Sequence, residues 1–306
     1  MSIAFAPASV ANVAVGFDIL GHSMDAIGDT VRVERISAPG VHIREIQGLP
    51  QALPMRAEEN TAGRALLALL EARGLSGGFE VWIQKGIPLG SGLGGSAASA
   101  VAAVVAANAL LDRPADPLEL LRYAMEGEAV ASGAVHVDNI APSLFGGLIL
   151  TVGVDAPRIK RIPTPETLRC VLVHPHMELS TKEARRILRP EVPLKDVVWQ
   201  TANLAGVLAA CFTGDLLLLR EALADVIIEP QRKPLIPGFD AVQQGALAAG
   251  ALGCSISGAG PTIFAWVEAE RAAAVRDAMR AGFLGAGLAS DAWISSIEPK
   301  GARLIP

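Results

Sequence analysis

Residues 87–100 read Ile-Pro-Leu-Gly-Ser-Gly-Leu-Gly-Gly-Ser-Ala-Ala-Ser-Ala, with four glycines in six positions running straight into an apolar segment. Glycine reaches positive φ freely and lets backbone approach a ligand closely, but it loses much entropy when ordered. Where such a loop opens a helix, several unpaired N–H groups and the helix dipole point at one spot. That is the geometry of an anion site, most often one for phosphate. A merely flexible turn would not need four glycines followed by Ser96 at the helix mouth. The segment behind, residues 97–111, is broken by Ser99 and Asn108. It is also shorter than the roughly 20 residues that cross a bilayer.

The known phosphate loops differ in what flanks the glycines. A Walker A loop carries lysine before the serine, whereas Gly95 stands there. Gly90, Gly92 and Gly95 satisfy GxGxxG, and Asp112 lies twenty residues after Gly92. A dinucleotide fold, however, needs its acid at the end of the next strand. Asp112 instead closes a helix and precedes Arg113-Pro114. A protein-kinase reading fails as well, because no HRD or DFG element follows.

With 306 residues, about half of them hydrophobic, the chain affords two domains with substantial cores. The formal charge of −5 is dispersed without a basic stripe, which argues against nucleic acid as a partner. Cys170, Cys211 and Cys254 are odd in number and far apart, so neither a disulfide framework nor a zinc site is expected. They read as small buried apolar residues. The N-terminal Met-Ser-Ile-Ala-Phe-Ala-Pro lacks the features of a signal peptide. The expected setting is cytoplasmic, with no membrane partner.

Period-2 alternation predicts strands at residues 30–36 and 41–46, which the intervening Pro39-Gly40 would join as a hairpin. A helix over 61–73 should end at Gly74, and Phe79, Val81 and Ile83 share one face of a third strand. Helices are expected over 96–111 and 117–131, and a strand over 147–152. The Pro-rich passage 155–165 is the best boundary, dividing the chain into 1–155 and 156–306. Beyond it come a strand at 169–173 and a helix near Ser180, whose Ser-Thr-Lys-Glu has capping-box spacing. Helical blocks at 196–226 and 241–249, a strand at 262–267, a helix at 270–283 and a strand at 292–297 complete an α+β pattern.

Three stretches together are similar to the GHMP kinases. Pro-Leu-Gly-Ser-Gly-Leu-Gly-Gly-Ser-Ala-Ala-Ser resembles the family's phosphate loop, although Gly95 replaces one of its two serines. Residues 8–21 (ASVANVAVGFDILG) resemble the N-terminal motif, and residues 255–261 (SISGAGP) the C-terminal glycine motif. The resemblance implies two domains, an N-terminal one like ribosomal protein S5 domain 2 and a ferredoxin-like C-terminal one. It also implies ATP and Mg²⁺. ATP would lie on Pro88, Leu89, Gly90, Ser91, Gly92, Leu93, Gly94, Gly95, Ser96, Ala97 and Ala98, with Asn60 and Thr61 on the adenine side. Glu128 and Ser96 would be metal ligands and catalytic.

The acceptor is decided elsewhere. His-Val-Asp-Asn at 136–139, Ser-Thr-Lys-Glu-Ala-Arg at 180–185 and Glu-Pro-Gln-Arg at 229–232 are together similar to the family's homoserine kinase branch. Homoserine is a zwitterion and needs donors for a carboxylate and acceptors for an ammonium. By motif position, Arg185 and Arg232 would grip the carboxylate and Asp18 the ammonium. Asn12, His136 and Asn139 would fix the remainder, with Gly258 and Gly260 letting backbone approach the acceptor. Where several relatives carry an aspartate as base, Thr181 stands here, so phosphoryl transfer is expected to proceed without an enzymic base. The resemblance also implies a homodimer. Two alternatives stay open: a mevalonate- or shikimate-type kinase of the same family, and a catalytically silent ligand-binding protein on its scaffold.

Overall fold

The structure is a computed structural model that describes residues 1–132, 136–153, 157–297 and 299–306. The chain starts with two antiparallel strands, β1 (Ser2–Ala11) and β2 (Leu20–Ile36), in register from Ser2 opposite Val33 to Ala11 opposite Gly21. β3 (Gly40–Gln47) follows at once, but it does not pair with β2. Helix α1 (Thr61–Arg73) carries the chain over to β4 (Gly78–Gln84), which lies between β2 and β3, antiparallel to the first and parallel to the second. The expected hairpin is therefore replaced by a crossover. A parallel pair requires such a connection, and β4 takes the central place because Phe79, Val81 and Ile83 are buried.

Helix α2 (Gly95–Asn108) runs under this sheet with every residue from Ala97 to Val104 buried. Alanine and valine there allow close approach to α1, α3 (Pro117–Ser132) and α4 (Val137–Phe145). α4 was not expected, since it holds Asp138, Asn139 and Pro142 in nine residues. β5 (Leu148–Val152) pairs with β2, and β6 (Arg158–Ile162) with β5. The boundary expected at 155/156 falls on residues 154–156, outside the described ones.

The second lobe is a four-stranded antiparallel sheet of β7 (Leu168–Pro175), β8 (Gly253–Ile256), β9 (Ile263–Glu268) and β10 (Ser290–Ser296), in the order β10-β7-β9-β8. Between β7 and β8 come α5 (Thr181–Arg186), α6 (Leu194–Thr213), α7 (Leu216–Ala222), α8 (Glu229–Arg232) and α9 (Phe239–Ala248); α10 (Ala272–Gly285) joins β9 to β10. With α9 and α10 as the two crossovers this is the βαββαβ pattern of a ferredoxin-like domain. Val242, Ala246, Val275, Met279 and Phe283 of those helices pack against the sheet. Finally β11 (Arg303–Leu304) returns to pair with β1. Ser180 stands at the N-cap of α5, yet its exposed side chain makes no capping bond. The three cysteines are buried and stand in no disulfide among the described residues. Among the described residues, no helix is long and apolar enough to cross a membrane.

Candidate active site

Between the lobes lies a cavity of about 320 Å³, lined by the glycine loop, the start of α4, α5 and the 258–259 turn. Gly90, Gly92 and Gly94 all have positive φ, and Gly95 begins α2. At Gly94, the N-cap with φ 68°, a Cβ would run into Ser9 Oγ and Asn139 Oδ1, which hydrogen-bond each other at 2.8 Å. Gly92 faces the second lobe: a Cβ would collide there with the carbonyls of Ser257 and Gly260. The loop is pinned from that side by Leu179 N–H to Gly90 O (3.1 Å), Thr262 N–H to Ser91 O (3.3 Å) and Ser257 Oγ–H to Gly92 O (2.8 Å). Its shape is thus fixed by both lobes.

Beneath the loop sits a buried cluster absent from the sequence-based expectations. Lys85 Nζ donates to Gly95 O (2.7 Å), to Ser99 Oγ (2.8 Å) and to Asp29, while Asp29 accepts from Ser99 and from the N–H groups of Gly86 and Ile87. Its signal was readable. Lys85 follows Phe79, Val81 and Ile83 at the inward parity of β4, and Asp29 stands at that parity of β2 between Ile27 and Val31. A charge on the buried face of a strand needs a partner.

Two carboxyls face the cavity from the helices. Glu128, on α3 and 3% exposed, accepts a hydrogen bond from the Ser96 hydroxyl; burial raises its pKa to about 7, with Asp138 adding to the rise. Asp138, in the first turn of α4, is also raised to about 7, chiefly by burial and then by Asp18. Glu128 Oε2 and Asp138 Oδ1 have no partner among the described residues. An orphaned, buried carboxylate oxygen beside a serine hydroxyl fits a hard divalent cation. Among the described residues no group of three or more His, Cys, Asp or Glu forms a self-sufficient metal site. Asp138 belongs to the same His-Val-Asp-Asn stretch as His136 and Asn139, but it had been given no role.

The other end of the cavity carries the acceptor candidates. Asn12, Val13, Ala14 and Asp18 all have positive φ, a strained turn for residues with side chains. Asn12 ties it down, donating to Gly258 O (2.9 Å) and accepting from Asp18 N–H (3.1 Å). Arg185 of α5 reaches across to Asp18 in a two-bond pair, both at 2.8 Å. The residues expected to take ammonium and carboxylate separately thus hold each other here. Arg232, buried, donates to Ala184 O and Gly258 O; burial and the charge of Arg185 lower its pKa to about 10. His136 lines the wall and is held below its usual pKa by burial. Thr181 and Asn139 are lining residues too, so that nearly all the expected side chains converge.

A few do not. Ala97 and Ala98 are fully buried behind the loop. Asn60 caps α1, accepting from Ala62 and Gly63 N–H and donating to Pro54 O, and neither it nor Thr61 lines the cavity. Gly260 lies behind Gly258, its N–H bonded to Ser257 O.

Comparison with known proteins gives a consistent result. Residues 60–147 match the family model of the GHMP kinases N terminal domain, and residues 207–284 that of the GHMP kinases C terminal. Homoserine kinase of Xylella fastidiosa (strain M12) is 54% identical over 303 residues, covering 99% of this chain and 93% of that protein. Homoserine kinase of Chlorobium phaeobacteroides (strain BS1) is 43% identical, covering 98% of each. The crystal structure of homoserine kinase from Cytophaga hutchinsonii ATCC 33406 superposes with a TM-score of 0.96 at 44% identity, over 99% of this chain and 97% of that one.

Proposed function

Because the chain belongs to the GHMP kinases, in their homoserine kinase branch, we propose that it transfers the γ-phosphoryl group of ATP to the side-chain hydroxyl of L-homoserine, giving O-phospho-L-homoserine and ADP. The observation that carries this reading is the polarity of the cavity between the lobes: a glycine loop at a helix mouth at one end, and Asp18, Arg185 and Arg232 at the other. Phosphate and a zwitterion are the two ligands such ends suit. The mevalonate- or shikimate-type kinase and the silent binding protein are not favoured.

Phosphoryl transfer asks for alignment and charge stabilisation rather than covalent chemistry. The backbone N–H groups of residues 90–96 cradle the phosphates, and the Lys85–Asp29–Ser99 cluster holds the base of that cradle through Gly95 O. Glu128 and Ser96 would hold Mg²⁺, which when bound would supply charge neutralisation for the phosphates. Asp18 takes the ammonium of homoserine, and Arg185 and Arg232 its carboxylate, so the acceptor enters by exchange with the Asp18–Arg185 pair. Asn12, His136 and Asn139 complete the wall around it.

Thr181 cannot accept a proton at neutral pH, and the hydroxyl proton passes to the γ-phosphate or to solvent. One observation favours a second reading of this step alone: Asp138 Oδ1 is buried, unpartnered and part of the cavity wall. A homodimer is the proposed assembly. Leu194, Val198, Trp199 and Phe212, all exposed along α6, give it an apolar face. A cytoplasmic setting is proposed as well, where cysteines buried outside any disulfide are the rule.

The test is ADP release with Mg-ATP and, separately, L-homoserine, mevalonate, shikimate and galactose. Release is expected with homoserine alone, lost in Glu128→Ala and Arg185→Ala and only weakened in Thr181→Ala. A Thr181→Ala loss as large as that of Glu128→Ala refutes the base-free mechanism; a large kcat loss in Asp138→Asn with homoserine KM retained favours Asp138 as base. Release with another acceptor alone refutes the zwitterion site.

A further inference from the structure

Phe17 has no part in the chemistry above, and it is not among the residues lining the cavity. It is half-buried on the strained turn, next to Asp18. Both acceptor-end arginines lie over its ring. The Cζ of Arg185 is 5.1 Å from the ring centroid and that of Arg232 is 5.2 Å away, inside the range in which a phenyl face attracts a guanidinium. Two like charges share one aromatic platform.

The remaining partners leave a task undone. Arg232 is held by two backbone carbonyls, which place it without supplying a counter-charge. Arg185 is held by Asp18, which must release it when an ammonium arrives. A freed guanidinium on a flexible stem would lose its position at that moment and be repelled by Arg232. The charges of Asp18 and Asp138 offset that repulsion from a distance, but among the described residues only the Phe17 ring offers both guanidinium groups a shared surface to lie on. We propose that Phe17 is a positioning residue that sets specificity: its ring face holds Arg185 and Arg232 together as one two-pronged clamp for the carboxylate of the acceptor. This rests on the homoserine reading above and goes one residue beyond it. The ring acts through the arginines and touches no reacting atom. A leucine would fill much of the same space but has no quadrupole to offer.

The experiment compares the wild type, Phe17→Leu, Phe17→Tyr and protein carrying pentafluorophenylalanine at position 17, by initial rates over L-homoserine and Mg-ATP. In Phe17→Leu the homoserine KM should rise about tenfold, while kcat and the Mg-ATP KM stay within about twofold. Phe17→Tyr should restore the wild-type homoserine KM. The pentafluoro ring keeps the shape but reverses the quadrupole, and should raise the homoserine KM at least as far as leucine does. An unchanged homoserine KM in the pentafluoro protein overturns the proposal. So does a rise in both KM values in Phe17→Leu that tyrosine does not repair, which would be the mark of packing alone. A wild type inactive on homoserine is a different result: it removes the parent reading, and this clamp with it.

Discussion

Replacing Glu128 by glutamine should stabilise the ligand-free protein above pH 7 relative to low pH, while removing its activity. The carboxyl is buried, accepts the Ser96 hydroxyl with one oxygen and has no partner for the other among the described residues. Burial lifts its pKa from 4.5 to about 7. The unfolded chain therefore releases the proton near the lower value and the folded chain only near the upper one. Stability is full below the unfolded value and is lost as the pH rises through the folded value. At about 1.36 kcal/mol per pH unit, that interval amounts to about 3 kcal/mol. Glutamine keeps the volume and an acceptor for Ser96 but does not ionise. Burying its amide costs about 1–3 kcal/mol, equally at every pH, so that term cancels when variant and wild type are compared at two pH values. Urea unfolding without metal or nucleotide should show the difference growing by about 3 kcal/mol between pH about 4.5 and about 8. With an unfolding entropy near 0.6 kcal/mol/K for a chain of this length, the Tm gap widens by about 5 °C. Added Mg-ATP should stabilise the wild type and leave the variant largely unmoved. A difference independent of pH would refute the reasoning, because Glu128 would then not carry a desolvation penalty that a cation relieves.

Two further outcomes concern the frame around the site. His22 accepts the indole N–H of Trp266 at 3.1 Å through Nε2, and burial lowers its pKa from 6.5 to about 4. The folded state thus resists a proton that the unfolded state takes, and stability falls by about 3 kcal/mol as the pH drops from about 6.5 to 4; His22→Leu should flatten that slope in urea unfolding, less the similar share of His174, which burial also holds at about 4. Gly94→Ala places a Cβ at φ 68° and into the Ser9–Asn139 bond. About 1–2 kcal/mol for the left-handed backbone and about 1 kcal/mol for the bond should appear in unfolding, with the KM for Mg-ATP raised; an undisturbed KM would deny the loop its role.

What could be read from the chain followed how far apart the cooperating residues are. The glycine loop, α2 behind it and the Gly74 end of α1 declare themselves locally, because Gly74 takes the left-handed C-cap that only a glycine adopts cheaply. β1 was missed because its inward residues are Ala4, Ala6 and Ala8, too small to mark an alternation, with Pro7 among them. α4 was missed because its helix is imposed by the packing of Ile140, Ala141 and Leu144 against the core rather than by propensity. The hairpin error has the same root. Two adjacent strands look paired until a third, arriving over α1, claims the place between them. The acceptor residues were named by motif, but the pairing of Asp18 with Arg185, 167 positions apart, belongs to the docking of the lobes.

That docking explains why the site tolerates so much that is unfavourable. Four non-glycine residues at positive φ, each about 1–3 kcal/mol, adjoin two carboxyls raised to about 7. Neither lobe could hold this arrangement alone. Ala11, at the foot of the strained turn, accepts from Gly258 N–H; Gly90, Ser91 and Gly92 accept from Leu179, Thr262 and Ser257. The buried Trp266–His22 bond joins the two sheets behind them. The glycines of the two motifs are therefore partners: Gly258 stands so close to Gly92 that a Cβ on it would lie 3.0 Å from the Gly92 carbonyl oxygen. The second glycine motif serves the first by letting one loop close upon the other. The phosphate cradle and the acceptor grip take their shape from the same contact, so a change that loosens the lobes must impair nucleotide and acceptor binding together, whereas a change in Phe17 or Arg185 should separate them.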